Sequence, residues 1–327
     1  MRNIRTDLML EAQEMYFENS KLEHEIAGVK TEQEAMDGGI FVTRVQIVSD
    51  KGEKLLGKKM GNYVTLEIPP KFRDAQTTYE QMCEATAKEL KNIIDLKPGY
   101  GTVLVVGLGN WNITADALGP KVVDSLLITR HLIEYVPEEI DEGVRPVCGI
   151  APGVLGLTGI ETGEVVKGLV DRIKPDLVIA IDALCSRRMD RINNTIQIAD
   201  TGIVPGAGIG NNRMGLNVET LGVPVIAIGV PTVVDAATIA GDTIDLMINN
   251  LKSNARENEP LYRMLCSIED EEKYGYIKEV IHPAMGDFIV TPKEVDSTIE
   301  DISSVIANGI NISLHEGITL EDIDRYR

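Results

Sequence analysis

Three aspartates follow apolar runs in this chain. Residues 103–106 run into the glycine turn Gly107–Leu108–Gly109, and Asp116 follows where an amphipathic pattern begins. Residues 177–181 end on Asp182, and the segment VPVIAIGVPTVVDA (223–236) ends near Asp235. Open α/β sheets bind ligands outside the carboxyl ends of their strands, so a strand that delivers a carboxylate there builds a site. Parallel strands put those ends on one side, and neighbouring strands are expected to bring Asp116 and Asp182 together. Two carboxylates in one crevice push their pKa values apart, so one serves as base while the other holds a proton. Asp182 follows its apolar run without polar interruption, and such a carboxylate is costly unless paired, hydrated or put to use. For Asp116 the competing role is an ordinary helix cap. A helix N-terminus beside it favours the ionised form, which makes Asp116 the expected base.

Other chemistry is less well supported. Gly107–Leu108–Gly109 begins a dinucleotide fingerprint, but position 112 is Asn where a third glycine belongs, and no acidic residue closes a second strand about 20 residues on. Asp200–Thr201–Gly202 matches the D-T-G of pepsin-like proteases, yet it occurs once, and a turn after a strand explains it equally well. The histidines (His24, His131, His282, His315) form no HExxH and no close pair. No metal or other cofactor is expected. The alternative is a divalent ion held by Asp116 and Asp182, with a histidine such as His131 completing the set. No spacing joins Cys185 to His131 as a thiol pair, and there is no GxSxG elbow. The small-residue loops 151–161 and 206–211 permit close backbone approach by a peptide. Thr158 and Glu161 fit a capping box for the following helix.

The elements that must position these residues follow from periodicity. From residue 103 onward strand, loop and helix alternate, with strands at 103–106, 146–150, 177–181 and 224–228 and helices at about 117–135, 163–173 and 235–250. That rhythm predicts a mostly parallel sheet covered on both faces. Before it, residues 41–50 and 62–70 alternate as two strands of a meander, and 77–96 carry helical spacing. Residues 1–38 are polar, with a short helix expected around 8–18. Thr195–Ala199 is expected as an antiparallel strand, 252–279 as a charged excursion ending in a short helix, and Thr291-Pro-Lys-Glu294 as the capped start of the last helix.

Composition narrows the class. The 327 residues carry 51 acidic against 32 basic side chains, a net charge of −19, which argues against direct nucleic-acid binding. Four scattered cysteines read as reduced thiols of a cytoplasmic protein. No apolar run reaches membrane length, and the N-terminus lacks the apolar core of a secretory leader.

The chain resembles the germination proteases of spore-forming bacteria. The resemblance is carried by RTDLMLEA (5–12), GNYVTLE (61–67), VVGLGNWNITADALGPKVVDSLLITRHL (105–132), APGVLGLTGIET (151–162), IAIDAL (179–184), VPVIAIGVPTVVDA (223–236) and VTPKEVD (290–296). It implies an endopeptidase that degrades small acid-soluble spore proteins in the germinating spore core. It also implies a homotetramer made as a zymogen that removes its own propeptide, and a three-layer α/β/α fold similar to hydrogenase-maturation peptidases. The family's pattern places two catalytic aspartates at Asp116 and Asp182. Asp235, near the end of the third apolar run, and Glu161, in the small-residue loop, are supporting candidates. Family members cut after an acidic and before an apolar residue, which points to Asp7–Leu8. Residues 1–7 would then be the propeptide and 8–327 a single peptidase domain. The segment around 252–275 looks shorter than in many relatives.

Overall fold

The structure is a computed structural model. It describes residues 6–20, 25–69, 76–97, 99–141, 143–206, 213–254 and 288–326, with single positions at 263, 277 and 279. Within these, the strands in chain order are β1 (Val29–Met36), β2 (Ile40–Ile47), β3 (Gly61–Glu67), β4 (Val103–Gly107), β5 (Val147–Ile150), β6 (Leu177–Ser186), β7 (Thr195–Ala199), β8 (Val225–Asp235) and β9 (Ile289–Val290). They form one sheet in the order β1-β2-β3-β7-β8-β6-β4-β5, with β9 on the end of β8. The four apolar runs, β5, β4, β6 and β8, pair in parallel. The meander does not stand apart. It joins the parallel half through antiparallel β3–β7 and β7–β8 pairs.

Strand alternation sorts the core onto two faces. Val103, Val105, Ile179, Ile181, Val64, Leu66, Ile196 and Ile198 share one cluster with the helices Gln76–Ile93, Leu118–Asp124 and Val295–Leu314. The last of these buries Ile299, Ile302, Val305, Ile306, Ile310 and Leu314, a spacing that forms one apolar stripe. Each such side chain contributes about 1.5–3 kcal/mol on burial. The opposite face carries two clusters. Leu104, Val106, Val178 and Ala180 pack against the helix Thr162–Ile173. Val45, Ile47, Tyr63 and Ala199 pack with Met9 of the helix Met9–Ser20 and Leu56 of the helix Asp50–Leu56. The three-layer α/β/α arrangement follows, and a cleft opens on the second face between those two clusters.

Several elements depart from expectation. β1 is exposed along nearly its whole length, so it has no apolar signal, and charge suits an unpaired edge. The helix expected over 117–135 is two pieces, Leu118–Asp124 and Arg130–Tyr135. Between them the Leu127 amide donates to Asn311 Oδ1 (3.0 Å) and the Thr129 amide to the Val147 carbonyl (3.1 Å), so tertiary bonds replace the helical ones. Thr291 does not cap the final helix. Its hydroxyl donates to the Thr232 carbonyl (2.8 Å), tying the chain after β9 to β8. Cys148 and Cys185 are free thiols. His24, His282, Cys266, residues 207–212 and most of the 252–279 excursion lie outside the described residues.

Candidate active site

Asp182 is not the end of its strand. β6 continues to Ser186 because Ala183–Ser186 stay covered and keep pairing with β8, across a register shift at Leu184/Cys185. What ends is β4: Gly107 faces Ile181, and the Leu108 amide then donates to the Ile181 carbonyl (2.7 Å). Asp182 is therefore the first β6 residue beyond the carboxyl edge of its neighbour. It is 6% exposed, and one carboxylate oxygen accepts from the Ala183 amide at 3.0 Å.

Asp116 reaches the same cleft by a folded-back turn. It ends a single 3-10 turn, Thr114–Asp116, and is not the cap of the helix Leu118–Asp124, whose preceding residue Ala117 makes no side-chain cap. Its carboxylate instead accepts the Asn110 amide at 2.8 Å. Gly109 makes this possible. It sits at φ 114°, and a Cβ there would lie 2.0 Å from the Asp116 carbonyl oxygen. Gly107 likewise lets the helix approach, since its Cβ would lie 2.2 Å from the Gly119 carbonyl oxygen. These glycines serve close packing rather than a nucleotide phosphate. Thr232 of β8 clamps the turn by donating to the Ala115 carbonyl at 2.6 Å.

Both carboxyls are shifted upward. Burial raises Asp116, opposed by the Asn110 amide and by the charge of Arg213. The expectation that a helix N-terminus holds Asp116 ionised is corrected: burial outweighs a short helix that Asp116 does not cap. Asp182 is lifted well above the usual range, first by burial, then by the charges of Asp116 and Asp7. The upward shift is the larger at Asp182, the more deeply buried of the two.

The cleft has a volume of about 490 Å³, and Asp7, Lys58, Asp116, Asp182, Gln197 and Gly229 are among its lining residues. Asp7 enters it as an extended segment paired with β6. Its amide donates to the Cys185 carbonyl (3.0 Å), and its carboxylate accepts the Cys185 amide (2.9 Å). Its carbonyl oxygen accepts from Lys58 Nζ at 2.9 Å and from Gln197 Nε2 at 3.2 Å. Leu8 and Met9 beyond it are fully buried. Lys58 and Gln197 were not among the expected site residues. Their only sequence signals are a lysine after a helix-ending glycine and one amide in an otherwise apolar-patterned strand.

The remaining candidates take supporting places or none. Asp235 lies outside the cleft lining and accepts the Ala237 amide (2.8 Å) at the start of the helix Ala236–Asn254. Glu161 precedes the helix Thr162–Ile173 without capping it, and the Thr158–Glu161 box does not form, because Thr158 Oγ1 bonds locally to Val154 and Ile160. Glu161 faces Arg213 at 3.6 Å, and Arg213 is the cation felt by Asp116. Asp200 accepts both nitrogens of Asn62, a turn role. Burial drives the Cys185 thiol up to about 12, which is unsuited to a nucleophile that must be a thiolate. Among the described residues no three His, Cys, Asp or Glu side chains gather as a metal site.

Comparison with known proteins agrees with the resemblance. The family described as Germination protease matches residues 9–268 and 254–327. A germination protease of Clostridium tetani is 54% identical over 99% of each chain. One from Clostridium acetobutylicum is 51% identical over 100% of this chain and 99% of its own. One from Bacillus thuringiensis is 44% identical over 99% of this chain and 97% of its own. Among solved structures, a nickel–iron hydrogenase maturation protease of Thermococcus kodakarensis aligns with 44% of this chain and 80% of its own, at 23% identity and a TM-score of 0.28. The near full-length agreement in sequence decides the assignment: the chain is an endopeptidase and belongs to the germination protease family.

Proposed function

We propose that this endopeptidase opens the degradation of small acid-soluble spore proteins during germination. It is made as a zymogen that cuts its own Asp7–Leu8 bond, with Asp116 and Asp182 activating the attacking water. The observation that carries this reading is the position of Asp7, seated in the cleft that also contains both aspartates. The bond has the acidic–apolar pattern expected of a substrate, and its carbonyl is already oriented.

In this mechanism Asp116 removes a proton from water as the water oxygen adds to the carbonyl carbon. Asp182, holding its proton, delivers it to the leaving nitrogen. The pair ends with one proton, now on the other carboxyl. Residues 1–7 are the propeptide in this reading, and the mature enzyme begins at Leu8. The assembly is a homotetramer acting in the spore core, on DNA-coating proteins. Among the described residues no helix is long and apolar enough to cross a membrane.

The test is to purify Asp116→Asn and Asp182→Asn and follow two readouts: loss of seven residues by intact mass, and cleavage of a small spore protein. Each variant is expected to lose about 10²–10⁴-fold in both, the usual worth of a positioned acid or base. Full activity in either removes that residue from the chemistry.

A further inference from the structure

The Asp7 carbonyl oxygen is held from two directions by side chains that the acid–base pair does not use. Gly57 ends the helix Asp50–Leu56 in the left-handed region (φ 65°), so Lys58 turns off the helix into the cleft, and its ammonium reaches the carbonyl at 2.9 Å. Gln197 straddles the Asp7–Leu8 linkage. Its Oε1 accepts the Met9 amide at 2.6 Å, which leaves Nε2 to donate to the Asp7 carbonyl at 3.2 Å. Gln197 and Asp182 both face Gly229 of β8, so the three lie in one row across the sheet and share a face. The bond is thus fixed to β6 at Asp7 and to β7 through Gln197, above the row that contains Asp182.

We infer that Lys58 and Gln197 are catalytic residues that bind the carbonyl oxygen of the bond to be cut and stabilise the negative charge developing there. This rests on the proposal that Asp7–Leu8 is a bond the chain hydrolyses. When water adds, the carbonyl π pair moves onto that oxygen, held by Lys58 Nζ and Gln197 Nε2. When the pair returns, the C–N bond breaks, the nitrogen takes its proton from Asp182, and an Asp7 carboxyl and a Leu8 amine are left. Preorganised donors in a water-poor site do not reorganise as charge appears, which is why each counts for more than in solvent. Burial pushes the Lys58 ammonium down while Asp7 and Glu11 support its charge, and besides the Asp7 carbonyl it donates to the Thr6 carbonyl at the longer distance of 3.4 Å.

The test measures, in the full chain, the first-order rate of loss of residues 1–7 and the hydrogen-exchange protection of the Asp7–Met9 amides. Lys58→Met is expected to slow processing about 10²–10³-fold, the cost of removing one such donor. The amides should stay protected, because the Cys185 pairing remains. Lys58→Arg, which keeps a cationic donor, should recover most of the rate. Gln197→Glu keeps the acceptor for Met9 and removes the donor, and serves as the second variant should Lys58→Met fail to fold. Wild-type processing in these variants while Asp182→Asn stalls would overturn the inference. So would a rate that falls only as far as amide protection falls, since the side chains would then be mere tethers. Wild-type processing in Asp182→Asn would instead strike the underlying proposal.

Discussion

Two sets of acidic side chains are buried in this molecule, and their surroundings are opposite. Under the N-terminal helix, Glu11 is fully buried, accepts the amides of Arg187 (2.7 Å) and Arg188 (3.0 Å), and faces Arg191 at 3.4 Å. Glu14 joins the same guanidinium at 2.6 Å, and Glu89 takes a two-point contact from Arg44 at 2.5 and 2.8 Å. In the cleft, Asp7, Asp116 and Asp182 are gathered with backbone amides as their main polar contacts, and the charges of Asp7 and Asp116 raise Asp182 further. Paired carboxylates hold the fold through ion pairs and amide hydrogen bonds. The crowded ones are shifted upward instead, and such perturbed groups gather at functional sites.

The sharpest break of this contrast is on the paired side. Glu11→Ala leaves Arg191 and two amides without their shared partner, and is expected to cost about 3–5 kcal/mol in urea unfolding. A cost under about 1 kcal/mol would mean that Glu11 is not what holds the helix down.

On the crowded side the sign reverses. Asp182 has its folded pKa raised, so the stability it contributes is fully present below the unfolded value of about 3.9 and is lost as pH rises through the folded pKa. Asp182→Asn removes that loss. The variant should melt higher than wild type at neutral pH, and the gain should shrink as pH falls toward about 4. A variant that melts lower at neutral pH contradicts this. His315 makes the difference between variants, rather than the raw curve, the useful quantity. Burial, with the charge of Arg145, lowers His315 to about 4. Its contribution, about 3 kcal/mol over the shift from 6.5, is therefore present above pH 6.5 and is lost as pH falls through about 4. It cancels between wild type and Asp182→Asn. His315→Asn should flatten that acid loss in both.

The smallest effect is expected from metal removal. Because no three His, Cys, Asp or Glu side chains group as a metal site among the described residues, exhaustive chelation should leave processing and substrate cleavage unchanged. A loss restored by one divalent ion would convert the pair from acid and base to ligands.

The parallel half of the sheet was legible because its strands are covered on both faces and read as unbroken apolar runs, from Val103 to Ile228. Those runs also exposed Asp182, since a carboxylate directly after such a run has few bland explanations, whereas Asp116, open to a helix-cap role, was singled out through the neighbouring strand ends. β1 was not legible, because an edge strand with polar side chains lacks alternation. The mid-strand position of Asp182 depends on where β4 stops, and no local pattern in β6 records that. Nor did spacing reveal the Asp116 turn, which Gly109 and Thr232 impose from outside any helix. Lys58 and Gln197 come from the antiparallel half, joined to the site only through β7–β8, a pairing between distant segments.

The central claim is that Asp182 keeps a proton in the cleft because burial, and then the charge of Asp116 beside it, raise its carboxyl. It is tested most directly by following the carboxyl carbons of Asp116 and Asp182 by NMR across pH, in wild type and in each single Asn variant. Asp182 is expected to stay protonated well above the range of an ordinary aspartate, and to fall toward it when Asp116 becomes Asn. Two independent titrations near the ordinary value of about 3.9, unchanged by replacement of the neighbour, would contradict it.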